Sequence, residues 1–343
     1  MMRQFHEMPA DEYARLDIGE VNLACADKLC GSEELSISQY LAVLDEWAAM
    51  VARSTARNRQ QFDRRPSEFR HSEAFYRMVA LATVLQRDIG IEYATDSLEQ
   101  SFDCTDSRLH FIHGIIEGRG GTCATLPVLF VAIGRRLGYP LKLVSAAHHL
   151  FVRWDDLCSG ERFNIEATAK GLISYPDEHY YSWPAPVVMQ HVRDGWLLKS
   201  MTPTEELSVF YETRARCCLD WMQFRAAYEL SEFAATQLTA GNPYRWGFHA
   251  IATALYRSEV GLAKYGFKHT GQGVVIENGV ERPMKPWEKW AIREGEKELK
   301  RIEQLHVTRR QQGRAHIRNR RIIQLAAQPH AAVEAYFEQE VAG

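Results

Sequence analysis

The sequence lacks the long apolar runs that membrane proteins need. No run approaches the roughly 18 apolar residues of a membrane-spanning helix. The first residues, Met1 to Pro9, contain no apolar core of the length found in secretory signal peptides. These two absences predict a soluble, cytoplasmic protein without a membrane partner.

The chain also lacks an excess of charge and a disulfide framework. Its formal net charge is only −3, which argues against a general polyanion binder, so a nucleic-acid partner is not expected. Its seven cysteines are odd in number and scattered, which is typical of reduced thiols in a long chain. At 343 residues, the chain exceeds what one core usually holds, which predicts two or three packed units.

A cysteine stands just ahead of a strongly apolar helical segment. Arg119-Gly-Gly-Thr-Cys123 leads into a run from Leu126 to Leu137 that has apolar residues on every helical face. Pro127 is tolerated only in a first turn, so we predict a buried helix that starts close to Cys123. A helix N-terminus favours the thiolate and offers unpaired backbone N–H groups to an oxyanion. The alternative is that Cys123 is an ordinary small buried residue.

Three short strands are predicted after this helix, from Leu141 to Ala147, from His148 to Trp154 and from Arg162 to Thr168. Alternation places His149 on one face of the second strand, and Asn164 and Glu166 on a shared face of the third. A cysteine on a helix, a histidine on one strand and a carboxylate on its hairpin neighbour can converge. The histidine would then take the thiol proton, and the carboxylate would orient the imidazole.

The motifs Gly-Thr-Cys123, His148-His-Leu-Phe-Val-Arg-Trp154 and Phe163-Asn-Ile-Glu-Ala-Thr168, in this order, resemble the core of the transglutaminase-like superfamily of papain-like cysteine enzymes. More specifically, they resemble its bacterial branch of SirB1-type proteins, and the similarity extends over about residues 14 to 240. The resemblance implies a nucleophile at Cys123, a base at His149 and an orienting acid at Glu166, where aspartate is common in the family.

Alternatives stay open within this resemblance. Asn164 lies two residues before Glu166 on the same face and could complete a Cys-His-Asn arrangement instead. His148 is a second candidate histidine, but the family pattern puts the base directly before a Phe-Val-Arg strand, which favours His149. The branch also includes members without the nucleophile, so the fold alone does not imply catalysis.

Candidate supporting residues lie just before the cysteine. His110 and His113 stand three apart on one predicted helix, with Cys104 upstream. They could line the surroundings of Cys123, as could Thr122, or bind a metal with Cys104, or be ordinary histidines. No second ligand pair at zinc-site spacing follows, so neither a metal nor a cofactor is predicted.

The predicted architecture is α+β. A papain/transglutaminase-like core, in which a buried helix carrying the cysteine packs on a small antiparallel sheet, is flanked by mainly helical regions. Four segments are predicted: a helical N-terminal region (1–104), the transglutaminase-like core (105–200), a helical, tetratricopeptide-like region (201–265) and a hairpin with a charged helical tail (266–343). The third segment rests on helices from Thr204 to Leu219 and from Gln223 to Leu238. The fourth rests on the turn signal Asn278-Gly279 and on the basic residues 297–321.

One stretch of the core has no clear periodicity. Residues 170–186 are rich in turn residues and tyrosine. They either pack over the cleft and shape an acyl site or form a structural loop.

Two functions of different classes follow from these patterns. In the first, Cys123 attacks an amide or ester carbonyl, and water or an amine resolves the acyl-enzyme, with hydrolysis preferred. In the second, a non-catalytic scaffold uses its helical arms to hold a protein partner. A metal protein using Cys104, His110 and His113 is a weaker third hypothesis. The expected partner is therefore a protein or peptide, as substrate or as binding partner, and the sequence does not determine the oligomeric state.

Overall fold

The computed structural model describes residues 5, 8–9, 12–94, 103–264, 268–269, 274–277 and 280–326. These residues form an α+β fold with a small antiparallel sheet among many helices, which confirms the predicted class. Among the described helices, none combines the length and the apolar character needed to cross a bilayer.

The α-helices are α1 (Ile18–Ala26), α2 (Ile37–Arg57), α3 (Arg59–Arg64), α4 (Glu73–Thr83), α5 (His113–Ile116), α6 (Leu126–Arg136), α7 (Met189–Arg193), α8 (Pro203–Asp220), α9 (Phe224–Phe233), α10 (Pro243–Lys264) and α11 (Pro286–Ala326). Single π-helical turns, Val84–Asp88 and Ala234–Leu238, extend α4 and α9. The strands are β1 (Leu141–Ala146), β2 (His149–Asp155), β3 (Arg162–Ile165), β4 (Lys268–His269), β5 (Val274–Glu277) and β6 (Val280–Pro283).

Helix α6 lies at the centre of the core, as its apolar faces predict. All of its residues from Leu126 to Gly134 are buried, and it packs against α1, α2, α4, β1 and β2. Gly134 is required at the contact with β1, because a Cβ there would come within 2.2 Å of Leu141 Cδ1. Each large apolar side chain buried here contributes about 1.5–3 kcal/mol to stability. The helix therefore gives a firm base to the turn that precedes it.

The helix begins at Leu126, three residues after Cys123, so Cys123 lies in the turn ahead of it. The cause is Pro127, which has no N–H to donate to the carbonyl of Cys123 four residues earlier. The turn still runs continuously into α6, because the Leu126 N–H donates to the Thr122 carbonyl at 3.0 Å. Cys123 is thereby held at the N-terminal end of α6 but outside its regular hydrogen-bond ladder.

The central sheet has the antiparallel order β1-β2-β3. A two-residue turn, Ala147-His148, joins β1 to β2, and His148 has a φ of +58°. The prediction that the strands include these two residues is wrong, because a tight hairpin needs left-handed backbone at its turn. Strand β3 ends at Ile165, short of the predicted Thr168, and Glu166 instead forms a single bridge with Ile173.

Helices α8 and α9 form the helical pair predicted for the third segment, and α10 packs against α9. Helix α8 starts with a reciprocal capping box. The Thr202 hydroxyl accepts from the Glu205 N–H at 3.3 Å, and the Glu205 carboxylate accepts from the Thr202 N–H at 2.7 Å. The tetratricopeptide-like character of this region stays a prediction.

The last described segment folds back onto the preceding helices. Strands β5 and β6 pair antiparallel with Glu277 opposite Val280, as the predicted hairpin requires, and the turn Asn278-Gly279 lies outside the described residues. Helix α11 packs along α10, and its Arg301 forms an ion pair with Asp220 at the end of α8. Part of the basic tail therefore binds acidic groups of its own chain.

Candidate active site

Cys123 lies in a turn that is fixed by the hydroxyls of two threonines. The Thr122 N–H donates to Thr125 Oγ1 at 2.8 Å, and the Ala124 N–H donates to Thr122 Oγ1 at 3.2 Å. Thr122 Oγ1 also donates to the Leu109 carbonyl at 3.1 Å, which ties the turn to the preceding segment. Thr122 thus shapes the turn, and the Cys123 side chain stays partly exposed.

The backbone at this turn can serve an incoming carbonyl oxygen. No described residue accepts a hydrogen bond from the main-chain N–H of Cys123. An unpaired N–H at the N-terminal end of a helix is the kind of donor that stabilises an oxyanion.

His149 and Glu166 are brought together, as the shared strand faces predict. His149 opens β2 and Glu166 directly follows β3, and the distance between Nε2 and Oε2 is 2.9 Å. Both side chains are buried. Because Glu166 occupies Nε2, Nδ1 is the ring nitrogen that is left for the Cys123 thiol.

The pKa values of this pair favour charged groups at neutral pH. Burial lowers the pKa of His149, but its interactions with the nearby Cys123 and with Glu166 outweigh burial and raise the pKa to about 9. Burial likewise opposes ionisation of Glu166, yet the bonds from His149 and Thr168 hold its pKa below the ordinary value. A protonated imidazole therefore faces an ionised carboxylate, and it can stabilise a thiolate on its other side.

Glu166 is held by more donors than the sequence indicated. Its Oε2 accepts from the Tyr180 hydroxyl at 3.1 Å in addition to His149. Its Oε1 accepts from the Thr168 N–H at 3.1 Å and from the Thr168 hydroxyl at 2.5 Å. A carboxylate with this many donors is fixed in both position and charge.

The tyrosine-rich stretch 170–186 packs over the histidine. The ring of Tyr180 stacks on Phe151 at a centroid distance of 4.0 Å, and the rings of Trp183 and His149 meet in a T-shaped contact with centroids 4.7 Å apart. These contacts place the stretch against the histidine, but none of its residues is among those that line the cavity beside Cys123, so a role in shaping an acyl site stays a prediction. Neither Tyr180 nor Trp183 is predicted individually from the sequence. The one signal in this stretch is its richness in tyrosine.

Asn164 does not contact the histidine, so the Cys-His-Asn alternative finds no support. Its Oδ1 accepts from Arg153 Nε at 2.7 Å, and its Nδ2 donates to the Tyr175 carbonyl at 3.0 Å and to Asp177 at 2.7 Å. Arg153 is fully buried and needs these partners, because an unpaired buried guanidinium is costly. Asn164 is therefore committed to the support of Arg153.

His148 is exposed in the turn between β1 and β2, next to but outside the pair formed by His149 and Glu166. It lines the mouth of the cavity described below. It makes no contact that would let it replace His149 as a base.

The two candidate supporting histidines, His110 and His113, are not brought together. The predicted helix through them is instead a 3-10 turn, Ser107–Leu109, followed by the short α5. At Gly114 the chain folds back so closely that a Cβ would lie 1.8 Å from the Arg108 carbonyl oxygen. His110 consequently contacts Cys104, with its Nδ1 3.9 Å from the sulfur, whereas the buried His113 contacts Ser107 Oγ at 3.3 Å.

This separation removes the basis of the metal hypothesis. His113 does not share a site with Cys104 and His110. Within the described ranges, no group of three or more histidine, cysteine or acidic side chains is arranged to hold a metal ion.

Cys123 and His149 line an open cavity of about 970 Å³. Its walls are the β1–β2 turn, residues 195–201, and faces of α8 and α10. An open cleft beside the thiol is the feature expected to favour an enzyme over a scaffold that merely retains the fold.

Comparison with known families gives a match over part of the chain. Residues 38–202 match the family model described as the transglutaminase-like superfamily, and the matched segment is just under half of the chain. Comparison with curated proteins and with solved structures gives no significant match. The matched segment contains Cys123, His149 and Glu166, and its helices and small antiparallel sheet agree with this assignment. The segment that matches the transglutaminase-like superfamily model thus contributes Cys123 and His149 to the cleft, and the helices that follow it contribute the opposite wall.

Proposed function

We propose that this protein is a cysteine-dependent hydrolase or acyltransferase that acts on amide or ester bonds. The observation that carries the proposal is the 2.9 Å contact between His149 and the buried Glu166, beside Cys123 in an open cavity. The same arrangement of thiol, imidazole and carboxylate recurs in enzymes of unrelated folds.

Each residue has a defined step in this proposal. The Cys123 sulfur attacks the carbonyl carbon while its proton rests on His149, and the oxyanion accepts a hydrogen bond from the Cys123 N–H. His149 then protonates the leaving amine or alcohol, and a thioester to Cys123 remains. Water or an amine next gives its proton to His149 and attacks the thioester, which releases the product and regenerates the thiol. Glu166 holds the imidazole in place and stabilises its charge throughout.

The finer assignments are proposals as well. We propose that the domain belongs to the SirB1-type bacterial branch, on the motifs around Cys123, His149 and Glu166. We also propose a cytoplasmic location, which suits seven cysteines that form no disulfide among the described residues. The competing scaffold function would use the same helical regions, but it does not require the ionised Glu166 or the open cleft.

Turnover of p-nitrophenyl acetate tests the proposal, because this activated ester needs little recognition by the enzyme. We expect Cys123→Ala and His149→Ala to lower turnover by about 10⁴-fold, the usual loss for one member of such a triad. Cys158→Ala is the matched control, because Cys158 is also an unpaired thiol but lies exposed outside the cavity. Equal turnover in all four proteins would reject catalysis and leave the scaffold function.

A further inference from the structure

The cavity beside Cys123 extends well beyond the reacting groups to a second wall. On α8 the lining residues recur every three or four positions, so one face of that helix forms the wall. Examples are Glu205, Ser208, Glu212, Thr213, Arg216 and Leu219. The first turns of α10 continue this wall through Tyr244, Arg245 and Phe248. The cavity is therefore a groove between the transglutaminase-like domain and the helices that follow it.

The charges along this wall are matched within it. Arg216 Nη2 lies 2.7 Å from Glu212, Arg245 binds the other oxygen of Glu212, and Lys199 lies 2.7 Å from Glu205. Glu298 also lines the groove. Among the described residues, the lining therefore contains three lysine or arginine side chains and three glutamates. These six side chains give no excess of cations for a strongly anionic ligand such as a phosphate. The cationic imidazoles of His149 and His110 also line the cavity, but they lie beside Cys123 and Cys104 and not on this wall. The ligand that fits this wall is close to neutral.

The groove is also rich in neutral hydrogen-bonding side chains. Ser145, Ser208, Thr213, Thr239 and Asn242 all line it. The four hydroxyls donate to carbonyls of this chain, so towards a ligand they act as acceptors, and Asn242 offers its Nδ2 because its Oδ1 accepts from main-chain N–H groups. An extended polypeptide presents one N–H and one C=O per residue and no net charge of its own, so it suits such a lining. The volume of about 970 Å³ lies at the upper end of the roughly 300–1,000 Å³ typical of small-ligand pockets. It can therefore hold several residues of a chain.

Three aromatic side chains, which we call the aromatic rim, border the groove: Trp196, Tyr244 and Trp290. Tyr244 and Trp290 keep 38% and 39% of their surface exposed. The Tyr244 hydroxyl lies 2.9 Å from His191 Nδ1, which fixes its ring. Large, rigid and partly exposed aromatic rings are typical anchors for apolar side chains of a partner.

We propose that this groove binds an extended polypeptide segment, which runs from the aromatic rim along α8 to Cys123. An apolar side chain of the segment packs on Tyr244 and Trp290, and the backbone amides pair with the polar side chains of the wall. The inference rests on the proposed function in one respect, because the bond presented to Cys123 is the one that is attacked. Binding to the helical wall itself does not require a reactive thiol.

The test uses the full chain with Cys123→Ala, which removes chemistry and leaves the groove. A degenerate pool of 12-residue peptides, acetylated and amidated, is incubated with the protein, and bound peptides are identified by mass spectrometry. The Kd of a labelled peptide from the enriched set is then measured by fluorescence anisotropy. We expect Tyr244→Ala and Trp290→Ala, each added to this background, to weaken binding about tenfold or more, as for aromatic anchors in other interfaces.

Matched controls come from neighbouring exposed tryptophans that do not line the groove. Trp287 lies on α11 with Trp290, and Trp246 lies on α10 with Tyr244. We expect Trp287→Ala and Trp246→Ala to leave the Kd within twofold. Thermal unfolding of each variant verifies that the fold is retained.

Two results would overturn the proposed groove: no enrichment from the pool, or equal losses in Trp287→Ala and Trp290→Ala. The experiments distinguish a failure of the proposed groove from a failure of the catalytic proposal. Turnover of p-nitrophenyl acetate without peptide binding rejects the groove alone. Peptide binding that depends on Trp290, in a protein whose thiol is inert, supports the groove and rejects catalysis.

Discussion

Two thiol–imidazole pairs line the same cavity, and they differ in ways that decide their chemistry. The first pair is Cys123 and His149. In the second pair, the Cys104 sulfur lies 3.9 Å from His110 Nδ1. The far nitrogen of His149 is bound by the ionised Glu166, whereas the far nitrogen of His110 is 2.8 Å from the Asp103 carbonyl. The first imidazole therefore has a buried carboxylate behind it, and the second has a main-chain carbonyl.

The two sulfurs also differ in their surroundings. Cys123 is partly exposed at the N-terminal end of α6, and Cys104 is fully buried. Burial raises the pKa of Cys104 well above its ordinary value, and the neighbouring Cys217 adds to the effect. We therefore expect access to water and a carboxylate behind the imidazole, and not the proximity of a histidine alone, to decide which thiol reacts.

Alkylation by iodoacetamide gives the largest expected contrast between the two pairs. We expect Cys123 to react at least about 10³-fold faster than Cys104 at pH 7, because Cys123 is partly exposed beside His149, whereas Cys104 is buried and burial raises its thiol pKa. Quantitative mass spectrometry of all seven thiols measures the rates. Cys30 and Cys158, which are exposed but outside the cavity, serve as controls for simple accessibility. Labelling of these two as fast as Cys123 would remove the distinction between the pairs.

Replacement of the Glu166 carboxylate should make the Cys123–His149 pair resemble the Cys104–His110 pair. We expect Glu166→Gln to lower turnover of p-nitrophenyl acetate about 10²- to 10⁴-fold, as loss of the orienting acid does elsewhere. Because the charge of Glu166 raises the pKa of His149, its removal lowers that pKa. The imidazolium is then lost at lower pH, so the alkaline limb of the pH–rate profile should move down from about pH 9. An unshifted limb would mean that Glu166 does not act through His149.

The raised pKa of His149 also makes the free energy of unfolding depend on pH. The pKa of His149 in the fold, about 9, lies above its ordinary 6.5. The stabilisation from the charged pair is therefore fully present below about pH 6.5 and is lost as pH rises towards 9. The difference in free energy of unfolding between wild type and Glu166→Gln should shrink over this range, which urea titrations at several pH values can measure.

Replacement of Asn164 tests whether this residue supports the fold or takes part in catalysis. We expect Asn164→Ala to lower the free energy of unfolding by about 2 kcal/mol, because the buried Arg153 loses a partner. Urea unfolding at pH 7 measures this loss. The alkylation rate of Cys123 in the folded variant should stay within threefold of wild type. A collapse of that rate with unchanged stability would instead favour the Cys-His-Asn arrangement.

Tyr180 is expected to give the smallest effect. Tyr180→Phe removes the 3.1 Å hydrogen bond to Glu166 but keeps the ring that stacks on Phe151. We expect turnover of p-nitrophenyl acetate to fall about tenfold, close to the value of one bond to a charged group. Tyr181→Phe is the control, because Tyr181 is the adjacent tyrosine and makes no side-chain contact with Glu166. Equal effects in the two variants would assign Tyr180 a role in packing alone.

Local patterns in the sequence were sufficient for the central elements. The apolar faces of residues 126–137 predict a buried helix, and alternation along the strands predicts that His149 and Glu166 can meet. These predictions hold because hydrophobic burial and strand periodicity act over a few residues. The same pattern predicts a helix start close to Cys123, and α6 begins at Leu126 with Pro127 in its first turn.

Other features depended on contacts between distant segments. Asn164 and Glu166 share a face, and only the packing of Arg153 and Asp177 takes Asn164 away from the histidine. His110 and His113 have helical spacing, yet the chain folds back at Gly114 and separates them. Tyr180 and Trp183 belong to a stretch without periodicity, so no local rule could give their positions.

The sequence alone determined the order of the elements, the buried helix and the residue types beside Cys123, because these follow from short-range spacing and burial. The tertiary structure decided which carboxylate or amide reaches His149, which thiol is exposed, and how α8 and α10 close a groove against the β1–β2 turn. Those outcomes depend on the desolvation and pairing of charges between segments far apart in the chain, which no local pattern contains.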